Sequence, residues 1–214
     1  MSDLTNYRKS YEKSALNENE LPEDPLNLFH KWFKETEAFG GVEEVNAMTI
    51  STLGLDGFPK ARVVLLKKYN ENGFVFYTNY ESEKGKALQA NPHVCLSFFW
   101  PSIERQVIIK GLAEKTSDLD SDNYFHSRPF GSQIGAIVSP QSDVIPNREF
   151  LENRLKELEQ QWEGKEVPRP EFWGGFLVRP VSVEFWQGRP NRLHDRIRYS
   201  IRDEMDWKIE RLSS

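Results

Sequence analysis

The chain has 214 residues, 38% of them hydrophobic and 29% charged, with a formal net charge of -5. That length holds one sizeable domain or two small ones, and the acidic balance weighs against a long polyanion as partner. No apolar run approaches membrane-spanning length, MSDLTNYRKS lacks the apolar core of a secretory signal, and the single cysteine, Cys95, excludes an internal disulfide, all of which fits a cytoplasmic protein.

Residues 1–20 are polar and read as a flexible N-terminal segment. EDPLNLFHKWFKETEAFGG then predicts a helix: Asp24 can cap it, Pro25 suits its first turn, and Gly40 or Gly41 can end it. Leu26, Phe29, Trp32 and Phe33 are expected on its apolar face. AMTISTL, PKARVVLLKKY and FVFYTN read as strands separated by GLDG and NENG turns. SEKGKALQANP reads as a short helix capped by Ser82, and HVCLSFFW and RQVIIKGLAEKT as two more strands. SDLDSDNYFHSRP predicts a helix that stops or kinks near Pro129. In NREFLENRLKELEQQWEG, Leu151, Leu155, Leu158 and Trp162 recur at helical spacing, and Gly164 can close the helix. WGGFLVRPVSVEFWQG, LHDRIRYSI and DWKIERL supply two or three final strands. Short strands joined by tight turns predict an antiparallel, mainly β fold with helices (α+β). No repeat or linker interrupts residues 21–214, which are taken as a single domain.

Three stretches could carry chemistry. NRLHDRIR has Arg192, His194, Arg196 and Arg198 at every second position, so a strand there gathers cations on one face, with Leu193 and Ile197 on the other. An edge strand dressed in arginines against aggregation has the same pattern. The large aromatics of EFWQG just upstream favour instead a planar, phosphorylated ligand, since arginine forks suit phosphates and aromatic walls suit flat rings. In YFHSRPFGSQIG, Tyr124, Arg128 and Ser132 are spaced to share a helix face, although Pro129 interrupts it; they make either a phosphate pocket or an ordinary polar surface. In ARVVLLKKY, Arg62 and Lys67 bracket four aliphatic residues, which predicts a buried strand interior. Their odd spacing puts the two cations on opposite faces. Flanking charges that keep a core strand soluble would look the same.

No dinucleotide fingerprint, P-loop, nucleophile elbow or zinc-protease motif is present, and nothing has metal-ligand spacing. His194 and Asp195 are neighbours in sequence, and strand neighbours face opposite ways, so they are not a ready acid–base pair. The residues by themselves point to an antiparallel β-rich domain that binds a planar phosphate.

RVVLLK, FYTN, ERQV, YFHSRP…SQIGA, PQS, FWGGF, EFWQG and RLHDR occur in that order from about Leu21 to the C-terminus. This series resembles the pyridoxine/pyridoxamine 5′-phosphate oxidase family. The resemblance implies an FMN-binding split β-barrel with peripheral helices, working as a homodimer with FMN at the subunit interface. The implied reaction oxidises pyridoxine or pyridoxamine 5′-phosphate to pyridoxal 5′-phosphate. O2 is the electron acceptor, H2O2 is formed, and the amine substrate releases ammonia. No nucleic acid or membrane partner is implied.

Position by position, the resemblance implies that Arg62, Val63, Val64, Leu65, Leu66, Lys67, Tyr77, Thr78, Lys84, Gln106, Gln141, Ser142, Trp186 and Arg196 hold FMN. Lys67, Tyr124, Arg128 and Ser132 would grip the B6 phosphate, with Arg192, Leu193 and His194 near the pyridine ring, and Arg192 and His194 as the catalytic candidates. Arg8 and Tyr11 sit where some members contact that phosphate. One departure stands out: the family usually has SRK where this chain has SEK, so Glu83 replaces an arginine. A carboxylate suits a helix start, but beside an FMN phosphate it repels.

Overall fold

The computed structural model describes residues 2–203 and 206–214. The described helices are α1 (Pro25–Phe39), α2 (Glu83–Ala90), α3 (Asp118–Ser127), α4 (Phe130–Val138) and α5 (Arg148–Trp162). The strands are β1 (Ala47–Leu53), β2 (Pro59–Leu65), β3 (Lys68–Asn70), β4 (Gly73–Asn79), β5 (His93–Trp100), β6 (Arg105–Lys115), β7 (Trp173–Gln187), β8 (Asp195–Asp203) and β9 (Asp206–Leu212). They hydrogen-bond in the order β2-β1-β5-β6-β7-β4-β3, with β8 added to β7 and β9 to β8. The architecture is the expected α+β split barrel. The chain forms two compact units: Met1–Ile50 with Cys95–Gly111 and Pro180–Ser214, and Ser51–Val94 with Leu112–Arg179.

In the first unit, α1 begins as its sequence predicts. Asp24 accepts a hydrogen bond from Leu26 N at 2.8 Å, and Gly40 ends the helix at φ 74. The buried face carries Leu28, Phe29, Trp32 and Phe33. Leu28 therefore takes the core position expected of Leu26, which is only half-buried. Phe29 packs edge-on to Phe98 at 5.1 Å, and Trp32 to Phe185 at 5.2 Å. Strands β7 and β8 are antiparallel, with Phe185 opposite Ile197 and Trp186 opposite Arg196.

The cationic stretch is not one strand. Pro190–Arg192 form a 3-10 turn, with Asn191 at φ 56 and Arg192 at φ 62, and β8 starts only at Asp195. A left-handed backbone at two successive residues breaks the alternation on which the shared-face expectation rests. Ile197 is fully buried as expected, whereas Leu193 is 73% exposed.

The N-terminal residues of this unit are tied down by one carboxylate. Glu104 is 2% exposed, and its Oε2 accepts from Glu12 N at 2.8 Å and Lys13 N at 3.1 Å. Lys9 Nζ lies 3.4 Å from its Oε1. This seats Tyr11 edge-on against Trp186, ring centroids 5.7 Å apart.

In the second unit β4 pairs with β3 on one side and β7 on the other, Phe76 opposite Phe176. The expected strand PKARVVLLKKY is split: β2 ends at Leu65, Lys67 N donates to Val75 O at 2.9 Å, and β3 follows. Strand β2 ends the pairing order, and so its interior is open: Val63 is 68% exposed and only Leu66 of the four aliphatics is buried. The FWGGF glycines permit close packing. A Cβ on Gly174 would meet the Tyr80 hydroxyl at 2.1 Å, and one on Gly175 the Thr116 hydroxyl at 2.5 Å. Helices α3, α4 and α5 enclose a second core of Phe125, Ile134, Val138, Val167 and Trp173, against which Leu151, Leu155, Leu158 and Trp162 pack.

Hydrogen bonds to a charged group contribute about 1.5–3 kcal/mol each. Glu104→Gln should therefore loosen residues 9–13 and speed tryptic cleavage at Lys9 and Lys13 by roughly tenfold or more, with the circular dichroism of the sheet unchanged. Equal cleavage rates would show that Glu104 does not hold this segment.

Candidate active site

The second unit contains a cleft of about 1010 Å3. Strand β2 and the residues after it contribute Lys60, Arg62, Val63, Val64, Leu65 and Lys67. Strand β4 contributes Tyr77, Thr78 and Asn79, and the start of α2 Glu83 and Lys84. Tyr124, Arg128 and Ser132 line it from α3, the α3–α4 junction and α4, and Gln141, Ser142 and Trp173 complete this side. Arg62 and Lys67, expected on opposite faces, both line the cleft, because the chain leaves β2 between them. Tyr124, Arg128 and Ser132 also converge, although by another route than one helix face. Arg128 caps α3 in an extended conformation at ψ 149, and Pro129 starts the turn into α4.

Its charge is one-sided. Lys60, Arg62, Lys67, Lys84 and Arg128 line it, and Glu83 is the one carboxylate among the described lining residues. Lys84 is 8% exposed, and its ammonium donates to Thr78 Oγ1 at 3.0 Å and Gln141 Oε1 at 2.9 Å, both neutral. Burial, followed by the neighbouring Arg62 charge, lowers its pKa to about 8 against the opposing pull of Glu83. Arg62 donates to Thr52 Oγ1 at 2.8 Å, and burial lowers its pKa too. Arg128 Nη1 is buried with no hydrogen-bond partner, while the guanidinium lies 4.7 Å from the Trp173 ring centre. An orphaned guanidinium nitrogen and a buried ammonium lining one cleft suit an anionic ligand.

Flat surfaces adjoin these charges. Tyr77 and Tyr124 stack with centroids 3.8 Å apart, and Trp173 lies nearly parallel to Tyr77 at 5.6 Å. Burial, with Asp120 adding to it, pushes the Tyr77 phenol up to about 12, so it stays a neutral donor. Ser142 is held at φ 78 in a turn closed by Asp143 N to Pro140 O at 3.0 Å. A non-glycine residue in that region stores strain of about 1–3 kcal/mol, a common feature of ligand-holding loops.

Leu66, expected along the cofactor, is buried in the second unit and does not line the cleft, and the other expected residues belong to the first unit and do not line it either. Gln106 donates to Ser97 Oγ at 3.3 Å. Arg196 is engaged with Glu184 Oε1 at 2.9 Å and Ser213 O at 2.8 Å. Arg198, its neighbour on the strand face, pairs with Glu210 at 2.9 Å. Arg192 and Leu193 are exposed at the turn before β8. His194 packs on Trp186, centroids 4.7 Å apart, and on Tyr11 at 5.9 Å. Its Nδ1 accepts from Arg189 N at 3.0 Å, so the neutral ring carries its proton on Nε2. Asp195 instead accepts from Leu16 N at 3.0 Å and Arg211 Nη1 at 2.8 Å, a structural role that keeps it apart from His194 chemistry. Arg8 Nε donates to Thr5 O at 3.2 Å.

Lys60 and Trp173 line the cleft without having been singled out from the sequence. FWGGF was a signal for Trp173; nothing in the sequence alone marked Lys60. Among the described residues no His, Cys, Asp and Glu cluster could hold a metal, and no helix is long and apolar enough to cross a membrane.

Comparison with known proteins agrees with this geometry. Residues 34–162 match the family model for pyridoxamine 5′-phosphate oxidase, and residues 173–214 that for the pyridoxine 5′-phosphate oxidase C-terminal dimerisation region. The chain is 71% identical over 214 residues to the pyridoxine/pyridoxamine 5′-phosphate oxidase of Flavobacterium johnsoniae, with 100% of both chains covered. It is 64% identical over 213 residues to that of Flavobacterium psychrophilum, again with both covered at 100%. Among solved structures it resembles PhzG from Burkholderia lata 383, in complex with tetrahydrophenazine-1-carboxylic acid. The TM-score there is 0.88 and the identity 28%, covering 96% of this chain and 100% of that one. An FMN-binding, pyridoxamine 5′-phosphate oxidase-related protein of Nostoc punctiforme shares the fold at a TM-score of 0.70 and 14% identity, covering 91% and 100%. The chain belongs to the pyridoxine/pyridoxamine 5′-phosphate oxidase family of oxidoreductases.

Proposed function

We propose that the chain binds FMN and oxidises pyridoxine and pyridoxamine 5′-phosphates to pyridoxal 5′-phosphate, in the cytoplasm and as a homodimer whose catalytic domain is residues 21–214. The observation that carries this reading is Arg128, a cleft-lining guanidinium with a buried nitrogen that has no partner. With Lys67, Tyr124 and Ser132 it supplies the donors that a substrate phosphate needs. Arg62, Lys84, Thr78, Gln141 and Ser142 would take the phosphate and ribityl end of FMN, and Val63, Val64 and Leu65 would lie along its ring. Gln106, Trp186 and Arg196 complete the cofactor set in this reading, and Arg192 and His194 attend the substrate ring. The match of residues 173–214 to a dimerisation region supports a site built from two subunits.

Bound FMN supplies two-electron oxidation, with O2 as final acceptor and H2O2 as product. The protein's part is to fix geometry. Gripping the remote phosphate spends binding energy on aligning the reacting carbon. His194, protonated at Nε2, would donate a hydrogen bond there, and Arg192, whose guanidinium has donors and no acceptor, would position substrate and stabilise charge. The alcohol then loses a hydride and a proton to give the aldehyde directly. The amine yields an imine, which water hydrolyses to aldehyde and ammonia.

Three outcomes follow. Purified protein with FMN should be yellow and bleach under anaerobic pyridoxamine 5′-phosphate. A colourless protein, or one bleached by a phenazine precursor and not by the B6 phosphate, would overturn the reading. Arg128→Ala should raise KM for pyridoxine 5′-phosphate by about tenfold to a hundredfold, the loss of a charge-assisted contact; an unchanged KM removes Arg128 from the phosphate site. Lys84 is charged below about pH 8 in the free protein, and a phosphate stabilises that charged form. Above pH 8, FMN binding must therefore draw in a proton, so the Kd for FMN should rise with pH, approaching tenfold per unit. Lys84→Met should flatten this limb in a fluorescence titration from pH 7 to 9.5, and a flat profile in the native chain would contradict the role.

A further inference from the structure

The cleft's single carboxylate sits where it should do harm. Glu83 is the first residue of α2 and borders Lys84 in sequence, and its charge acts on both Arg62 and Lys84, raising the pKa of each against the effect of burial. An anion entering beside those two cations would meet this negative charge. Glu83 does not stand alone, however: its Oε2 is bound by the ammonium of Lys60. Lys60 lies two residues before Arg62 on β2, so the alternation of the strand gives both side chains the same face. Both line the cleft.

We propose that Lys60 is a binding residue of the cofactor site. Its ammonium cancels Glu83, so that the pair is neutral and leaves Arg62 and Lys84 to keep the phosphate end positive. This rests on the reading that Arg62 and Lys84 hold an FMN phosphate. An ordinary surface pair would contribute little to stability and nothing to ligand affinity. The proposed role moves FMN affinity through charge: removing Lys60 exposes Glu83 to the ligand, removing the Glu83 charge frees Lys60 to face it, and removing both restores the balance.

The test is FMN affinity, read by quenching of flavin fluorescence with apoprotein at low and at high ionic strength. The native chain, Lys60→Met, Glu83→Gln and the double variant are compared, with thermal melts alongside. Lys60→Met should raise the Kd about threefold to fivefold at low salt, the range for one partly exposed charge, and less at high salt. Glu83→Gln should lower it by a similar factor, and the double variant should return to the native value. Native binding with four equal affinities, or shifts seen only in the melts, would overturn the role of Lys60 and leave the cofactor reading intact. Failure of the native chain to bind FMN would overturn both. Should Lys60→Met not fold, the tightening expected from Glu83→Gln decides the matter alone.

Discussion

The buried cationic groups of Lys84 and Arg128, neither bonded to a carboxylate, organise the second unit. Burying an ammonium or guanidinium costs several kcal/mol unless something satisfies it. Around Lys84 the fold supplies only neutral acceptors, the Thr78 hydroxyl and the Gln141 amide, and around Arg128 it supplies an aromatic face but leaves one nitrogen unmatched. A chain selected for stability alone would pair these groups with carboxylates, as the first unit does with Arg196–Glu184. The contrast separates arginines that hold the sheet together from cations kept available for a ligand.

Holding those cations in place needs a rigid frame. The Tyr77–Tyr124–Trp173 stack joins β4, α3 and β7 and fixes the wall on which Arg128 rests. That stack is possible because β7 carries glycines where its neighbours press closest, Gly174 under the Tyr80 hydroxyl and Gly175 against Thr116 and Tyr77. A methyl group at either position would force the backbone or the rings to move. The same economy operates at Gly85, where an added Cβ would lie 2.2 Å from the Tyr80 carbonyl, so α2 can bring Lys84 close only with glycine beside it.

Much of this was legible in the sequence where the governing rule is local. Caps marked α1 and α2, since Asp24 and Ser82 each accept from the helix start as their residue types require, and apolar periodicity marked α5. The ordered motifs identified the cleft residues because each carries side-chain chemistry that spacing preserves. Errors arose wherever a periodic rule was carried across a break. Arg62 and Lys67 were assigned opposite faces, and β2 ends between them. Arg192 and His194 were placed on a strand, and the backbone turns left-handed at Asn191 and Arg192 before β8 begins. The periodic face predicts Leu26 in the core and Leu28 is buried instead, because a helical stripe is about 100° wide and either residue can sit at its margin. Glu104 could not be found at all, since its partners at Glu12 and Lys13 are remote in sequence and use backbone rather than side-chain donors.

Shape and charge constrain this cleft in different ways. The requirement at Gly174 and Gly175 is steric and falls off within an ångström, so no distant substitution can compensate a methyl group there. The requirement at the phosphate end is a net positive potential. Coulomb interactions fall off as the inverse of distance, over several ångströms even in partly wet surroundings, so a charge can move from one side chain to a neighbour and still be felt. A helix start tolerates, even favours, a carboxylate at its first position. With Lys60 paired to it from β2, Glu83 forms a neutral pair beside Arg62 and Lys84, and those two cations carry the positive potential. Shape in this cleft is fixed residue by residue, whereas its charge is fixed only as a sum.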